Sequence, residues 1–252
     1  MRIENSFIPV RGVGEQTERK LWRAGVTHWD DFDGAVVGTT TADRIEAFID
    51  TARDRLAEND SRFFGDVLPN QETWRLYENF RDETCFFDIE TTGLSKERDV
   101  VTTVSFHQGD ETTTLVRGDD LTAETLREQF ADASLVGTFN GARFDVPFLE
   151  SSFDISVDVP HVDLMYPCKR LGLDGGLKAI ETEIGIARDG PEISGRDAVR
   201  LWHEYEGGSQ EALDTLVEYN RDDTRNLQTL MDVVADGLHA DLFDGCDVTG
   251  AK

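Results

Sequence analysis

The stretch CFFDIETTGL, residues 85–94, constrains this chain more than any other part of it. It reads as an apolar strand that ends on two acids, Asp88 and Glu90. In a strand, residues i and i+2 point to the same face, so these two carboxylates project together while Cys85, Phe87 and Ile89 pack on the other side. Two carboxylates side by side repel, and burying them unpaired is costly. The arrangement becomes favourable when both ligate a hard divalent cation, which takes oxygen ligands and supplies the missing positive charge. Spacing alone does not decide this. With acids at 51 of 252 positions, chance gives about 10 acid-x-acid pairs. The pair is set apart by the apolar strand ahead of it and by the TTG behind it, where Gly93 lets the backbone approach a ligand. A solvated strand end is the alternative on this stretch alone.

Two further acids stand in comparable places. In LVGTFNGARFDVPFLE, Asp145 follows a strand and a turn, and opens a helix whose Val146, Phe148 and Leu149 face a core. An Asp in a first helical turn also serves simply as a cap or dipole partner. In YNRDD, residues 219–223, Tyr219 and Asp223 are four apart on a long helix and share one face. A phenol beside a metal-bound carboxylate can position an attacking water. Asp222 competes for that role on these residues alone.

Taken together and in this order, the three stretches resemble the motifs of the DEDD exonucleases of the RNase H-like superfamily, in the subgroup with a tyrosine in the third motif. Asp88-Ile89-Glu90 with TTGL matches the first motif, Asn140 with Phe144-Asp145 the second, and Tyr219 to Asp223 the third. It is the motif spacing of this family that favours Asp223 and leaves Asp222 a solvated charge on the helix face. The resemblance covers roughly residues 84–236. Through HVDL (161–164) and GGLKAIE (175–181), it is closest to the stand-alone ribonuclease H-like domains of the YprB type. It implies an α/β fold, an RNase H-like mixed sheet flanked by helices. It also implies a 3′ to 5′ exonuclease in which Asp88, Glu90, Asp145 and Asp223 hold two Mg²⁺ or Mn²⁺ ions. Four carboxylates neutralise two such ions, and an ion pair about 3.5–4 Å apart stabilises both the attacking and leaving oxygens of an in-line displacement. Tyr219 would orient the water, since a free phenol near pKa ~10 is a poor base at neutral pH. Thr91, Gly93 and Leu94 would line the terminal nucleotide, and Asn140 would support the site. His161 and Asp163 would act behind the ligands. Arg143, Lys169, Arg170 and Lys178 would hold the strand backbone, Lys178 foremost because Gly175 and Gly176 lead its helix. An endonuclease for hybrid or branched substrates and a non-catalytic nucleic-acid-binding module are the competing readings. Single-stranded nucleic acid with a 3′ end, DNA or RNA, is the expected partner.

The rest of the chain frames this site. Residues 1–80 carry 10 basic and 15 acidic residues and read as short helices, an all-α N-terminal domain; residues 81–240 form the nuclease domain and 241–252 a flexible tail. Within residues 11–25, four basic residues face two acidic ones. The GVG there resembles a helix-hairpin-helix element, with Gly12, Gly14, Arg19 and Lys20 as candidate phosphate contacts; a plain helical cap is the alternative. The whole chain has a net charge of −26, far beyond what solubility needs, which is the solvated acidic surface expected of a halophile. Such a field disfavours anionic partners unless salt screens it and the contact surface is locally basic. Cys85, Cys168 and Cys246 lie far apart with no CxxC pair, as ordinary thiols do. No run approaches the roughly 18 apolar residues of a membrane span. The N-terminus also lacks the layout of a signal peptide, so the expected location is the cytoplasm.

Overall fold

A computed structural model describes residues 1–188, 190 and 193–244. The chain forms two compact units, one of residues 1–81 with the chain from Val233 onward, the other Asp82–Asp232.

The second unit is built on a five-stranded sheet: β1 (Thr84–Thr91), β2 (Val101–Gln108), β3 (Glu111–Val116), β4 (Leu135–Thr138) and β5 (His161–Asp163), in the order β3-β2-β1-β4-β5. β1 runs antiparallel to β2 and parallel to β4, and β4 is parallel to β5, so the sheet is mixed. The first four strands follow the apolar and β-branched runs of the sequence. β5 does not announce itself, because three residues are too few to show an alternating pattern.

Pleating sorts β1 into two faces. Cys85, Phe87 and Ile89 enter a core with Val104, Phe106, Leu126, Phe130, Phe148 and Leu149, contributed in part by α5 (Ala123–Ala131) and α6 (Asp145–Phe153). Phe87, Phe106 and Phe130 meet there with ring centroids 5.2–6.1 Å apart, packing that adds to the area they bury. The opposite face carries Phe86, Asp88 and Glu90. Over it runs α10 (Gln210–His239), whose Asn220, Arg221 and Gln228 bond to groups on β1, β3 and β2 respectively. Three further helices, α7 (Met165–Arg170), α8 (Leu177–Ile184) and α9 (Gly195–Glu206), complete the unit, and α9 packs Ala198, Leu201 and Trp202 against Leu213 and Leu216 of α10.

Central position makes some of these sites intolerant. A Cβ on Gly137 of β4 would come within 2.5 Å of the Phe86 ring. Gly137→Ala is therefore expected to destabilise the protein by about 1–3 kcal/mol, the cost of overpacking a filled core, read as a lower denaturation midpoint at unchanged m-value.

The first unit is helical, with no strand among the described residues: α1 (Glu15–Arg23), α2 (Thr39–Ala57), α3 (Ser61–Val67) and α4 (Tyr77–Phe80), joined by 3₁₀ turns. Its interior holds a fully buried ion pair. Glu18 of α1 accepts hydrogen bonds from Ser6 Oγ (2.9 Å) and the Phe7 amide (2.7 Å), and from Arg75 Nη1 (3.0 Å). Arg75 Nε donates to Glu72 at 2.7 Å. Bonded through Nε and Nη1, the Arg75 guanidinium links α1 to the 3₁₀ turn Asn70–Leu76.

Three expectations change here. A helix-hairpin-helix needs a helix ahead of its glycines, and only the 3₁₀ turn Ile3–Asn5 precedes Gly12–Gly14, so the hairpin lacks its first helix. Within residues 1–80, where the sequence reads as short helices, the stretch 70–80 (NQETWRLYENF) is 3₁₀ up to Leu76 and α only from Tyr77. Residues Ala240–Asp244 continue as a π-helix with Leu242 buried, so 241 does not begin a flexible tail; residues 245–252, Cys246 among them, lie outside the described residues. No helix among the described residues is long and apolar enough to cross a membrane.

Candidate active site

The four acids of the site come from three elements. Asp88 and Glu90 project from the same face of β1, and the pairing of β1 with β2 shifts register between Glu90 and Thr91. Such irregularities re-aim side chains where regular pairing stops. Asp145 is the first residue of α6 and buried, and its Oδ1 accepts the amide of Ile89 at 3.2 Å, the residue between the two β1 acids. Asp223 comes from α10. Oxygens of Asp88, Glu90 and Asp223 lie within 4.8 Å of one another.

The arrangement is electrostatically unfavourable without cations. Burial, and then the charges of Asp145, Asp223 and Glu90, push the Asp88 carboxyl well above the usual range. Burial, Asp223 and Asp145 raise Glu90 to about 8, with Lys178 pulling the other way. Asp145 rises to about 7, chiefly through burial and against the hydrogen bond from Ile89. Asp223 is also raised by burial, although Arg188 and Tyr219 oppose the shift. One buried oxygen, Asp223 Oδ1, has no aligned hydrogen-bond partner. An all-oxygen, acid-rich donor set fits a hard divalent cation such as Mg²⁺ or Mn²⁺.

Tyr219 stands one turn from Asp223 and bonds to its carboxylate. Burial and the surrounding acids drive its phenol far above its ordinary value, so in the metal-free protein it is a hydrogen-bond donor rather than a base. Lys178 Nζ lies 4.4 Å from the centre of the Tyr219 ring and donates to the Ile193 carbonyl, a cation–π contact that holds the charge at the cleft. Asp88, Lys178, Arg188, Tyr219 and Asp223 line a cleft of about 1180 Å³.

The residues expected around the acids divide. Thr91 Oγ1 donates to the Gly93 carbonyl at 2.6 Å, and a Cβ on Gly93 would meet Asp99 at 2.5 Å, so the turn after β1 is closed over the Asp99 carboxylate. Leu94 is 87% exposed, an apolar side chain held out in solvent by that turn. Asn140 takes the left-handed conformation, φ 64°, and its amide donates to Asp163 Oδ1 at 2.7 Å. Asp163 also accepts the amides of Ala142 and Met165, and so braces the loop that leads into Asp145. His161 bonds to Thr138 Oγ1 at 2.7 Å and is held neutral by burial. Arg143 lies over the Tyr166 ring at 6.0 Å, and Lys169 and Arg170 are exposed at the end of α7. In the first unit Gly14 caps α1, Gly12 has φ 93°, Arg19 reaches Glu15 at 3.9 Å and Lys20 donates to the Val36 carbonyl at 2.6 Å. Cys85 and Cys168 are buried free thiols raised to about 12, which leaves them unreactive.

Asp222 corrects the reading of a solvated charge. It is 4% exposed, with Oδ1 on Arg225 Nη2 and Oδ2 accepting the Gly190 amide, both at 2.5 Å. It pins the loop between α8 and α9 to α10, a contact that helical spacing alone does not reveal.

Two residues of the site escaped the sequence. Asn220, fully buried, donates Nδ2 to Asp88 Oδ2 at 2.8 Å and to the Asp88 carbonyl at 3.3 Å, while Thr103 Oγ1 donates to its Oδ1 at 2.9 Å. Its position beside Tyr219, three before Asp223, was the available signal. Partners that orient a ligating carboxylate typically account for about 10–100-fold in metal affinity or activity. Asn220→Ala is expected to weaken Mn²⁺ binding within that range, checked by calorimetric titration. Arg188, in the loop after α8, had no signal in the sequence at all.

A profile of the RNase H superfamily matches residues 85–235, more than half of the chain. This chain belongs to the RNase H superfamily. Among solved structures it is similar to the family B DNA polymerase from the hyperthermophilic archaeon Pyrobaculum calidifontis, at 16% identity and a TM-score of 0.51, over 66% of this chain and 27% of the polymerase. It is also similar to NrnC of Brucella melitensis bound to pGG, at 22% identity and a TM-score of 0.49, over 68% of this chain and 80% of that one. At 16% identity the likeness to the polymerase bears on the fold alone, and the likeness to NrnC carries no argument. No curated protein gives a significant sequence match. The mixed five-stranded sheet with its flanking helices is that of the superfamily.

Proposed function

We propose that the chain is a two-metal 3′ to 5′ exonuclease acting on single-stranded nucleic acid, DNA or RNA, of the DEDD type with a tyrosine in the third motif and closest to the YprB kind. The observation that carries this reading is the meeting of Asp88, Glu90 and Asp223 within 4.8 Å, with Asp145 bonded to the backbone between the first two. Superfamily membership supports a nuclease among the chemistries such a cluster can serve.

In this reading Asp88, Glu90, Asp145 and Asp223 hold Mg²⁺ or Mn²⁺. The ions would supply charge to offset that developing on the phosphate, and acidity to the attacking water. The chain's own groups do the rest. Tyr219, kept protonated, orients the water from beside Asp223 rather than taking its proton. Asn220 fixes the Asp88 carboxylate, and Asp163 holds the loop that presents Asp145. Lys178 gives the cleft a positive charge that meets the strand backbone, in a protein otherwise repulsive to it. Leu94, exposed at the end of the turn after β1, offers an apolar contact to the terminal base, and Arg143 with Tyr166 a stacking surface further along. The net charge of −26 supports a protein working in concentrated salt, in the cytoplasm of a halophile, where a Debye length of about 3 Å at 1 M screens that repulsion.

The test is a high-salt digestion of single-stranded DNA and RNA, labelled at either end, with Mg²⁺ or Mn²⁺. Metal-dependent release of mononucleotides from the 3′ end supports the reading and names the nucleic acid. Internal fragments point to an endonuclease instead, and bound but intact strands to a binding module.

A further inference from the structure

Among the described residues, one of the four acids is met by a guanidinium. Arg188, in the loop between α8 and α9, brings Nη1 to 2.5 Å from Asp223 Oδ1. The other edge of the same side chain is fixed on Glu181, with Nε and Nη2 at 2.6 and 2.5 Å from Oε2. Glu181 is itself buried and anchored, accepting from Asn226 of α10 at 2.9 Å. The two contacts are unequal. Glu181 is met by two nitrogens, Nε through an aligned hydrogen bond and Nη2 beside it, whereas Asp223 is met by Nη1 alone. Arg188 is thus fixed on Glu181 at one edge and paired at the other with Asp223, one of the three acids of the cluster that fits a cation.

We propose that Arg188 is a tethered cation that shares Asp223 with the metal site: it neutralises that carboxylate in the metal-free protein, yields it when the protein is loaded, and, still held by Glu181 through Nε and Nη2, turns the freed Nη1 to the phosphate backbone of the strand in the cleft. The inference rests on the two-metal reading above. The chemistry of the side chain suits both stations, since a guanidinium pairs with carboxylate and phosphate through the same fork. Geometry suits them as well, because Arg188 lines the cleft with Asp88, Lys178 and Tyr219. In this role Arg188 is a competitor of the metal and a contact of the substrate, and the two functions are separable by measurement.

Mn²⁺ binding to the full chain without nucleic acid, by calorimetry and by electron paramagnetic resonance, tests the first. Arg188→Ala is expected to bind Mn²⁺ about tenfold more tightly than the unaltered protein, because the competing pair is gone. Arg188→Lys, which keeps the charge but cannot bridge Glu181 and Asp223 together, should fall between them. Steady-state kinetics on a labelled oligonucleotide at saturating Mn²⁺ test the second: KM should rise about tenfold in Arg188→Ala, with a smaller change in kcat. Equal or weaker Mn²⁺ binding by both variants overturns the proposal while leaving the nuclease reading intact, as does an unchanged KM. No Mn²⁺ binding by the unaltered protein overturns both.

Discussion

Replacing Asp88 by Asn is expected to abolish nuclease activity, by about 10³-fold or more in kcat/KM, and at the same time to raise the melting temperature of the metal-free protein. The first effect follows from the place of Asp88 in the oxygen cluster with Glu90 and Asp223; a loss of that size corresponds to about 4 kcal/mol of transition-state stabilisation. The second follows from the same geometry with opposite sign. Without cations Asp88 is a buried acid pressed by Asp145, Asp223 and Glu90, and a neutral carboxamide of the same shape removes that repulsion while keeping an oxygen for the Asn220 amide. Activity and stability thus pull apart at this residue, as they do where a site is strained for its chemistry. Hydrolysis assays and calorimetry in EDTA measure the two together. A variant that loses activity and melts lower would mean that Asp88 is a structural anchor rather than a ligand.

The metal-free protein is expected to lose stability as pH rises. Glu90 is raised from 4.5 to about 8 and Asp145 from 3.8 to about 7. Folding therefore retains protons that the unfolded chain has already released. Stability from these groups is fully present below about pH 4, where both states are protonated, and is lost as pH climbs through 7 and 8; each retained proton contributes a slope of about 1.4 kcal/mol per pH unit. Protons and cations compete for the same oxygens, so Mn²⁺ affinity should rise over the same window, with proton release on binding. A saturating ion, at about 100 times its dissociation constant, restores about 2.7 kcal/mol and should flatten the profile. Glu90→Gln should flatten it without metal. Melting temperatures in EDTA and in Mn²⁺ across this pH range decide the matter, and a metal-free profile that rises from pH 6 to 8 would show that the acids are charged and solvated.

The local elements of the candidate site were legible because each obeys a short-range rule. Alternation in CFFDIE put Asp88 and Glu90 on one face and Phe87 on the other, and helical spacing paired Tyr219 with Asp223. The sheet's first four strands and the long helix α10 followed from the same two periods. β5 was hidden because His161–Asp163 is too short to show a period, and it was noticed only as an acid near a histidine.

What the sequence by itself determined is the inventory of acids and the elements that carry them, since strand and helix periods depend on neighbours a few residues away. What only the tertiary structure decided is which charges meet. Asn220 reaches Asp88 across 132 positions of chain, Asp222 holds Gly190 across 32, and Arg188 joins Glu181 to Asp223 through a loop with no pattern of its own. An arginine among 25 basic residues and an aspartate among 51 acids look alike in a sequence. Their partners are chosen by distances of a few ångströms among buried groups, where a misplaced charge is costly and a matched one persists.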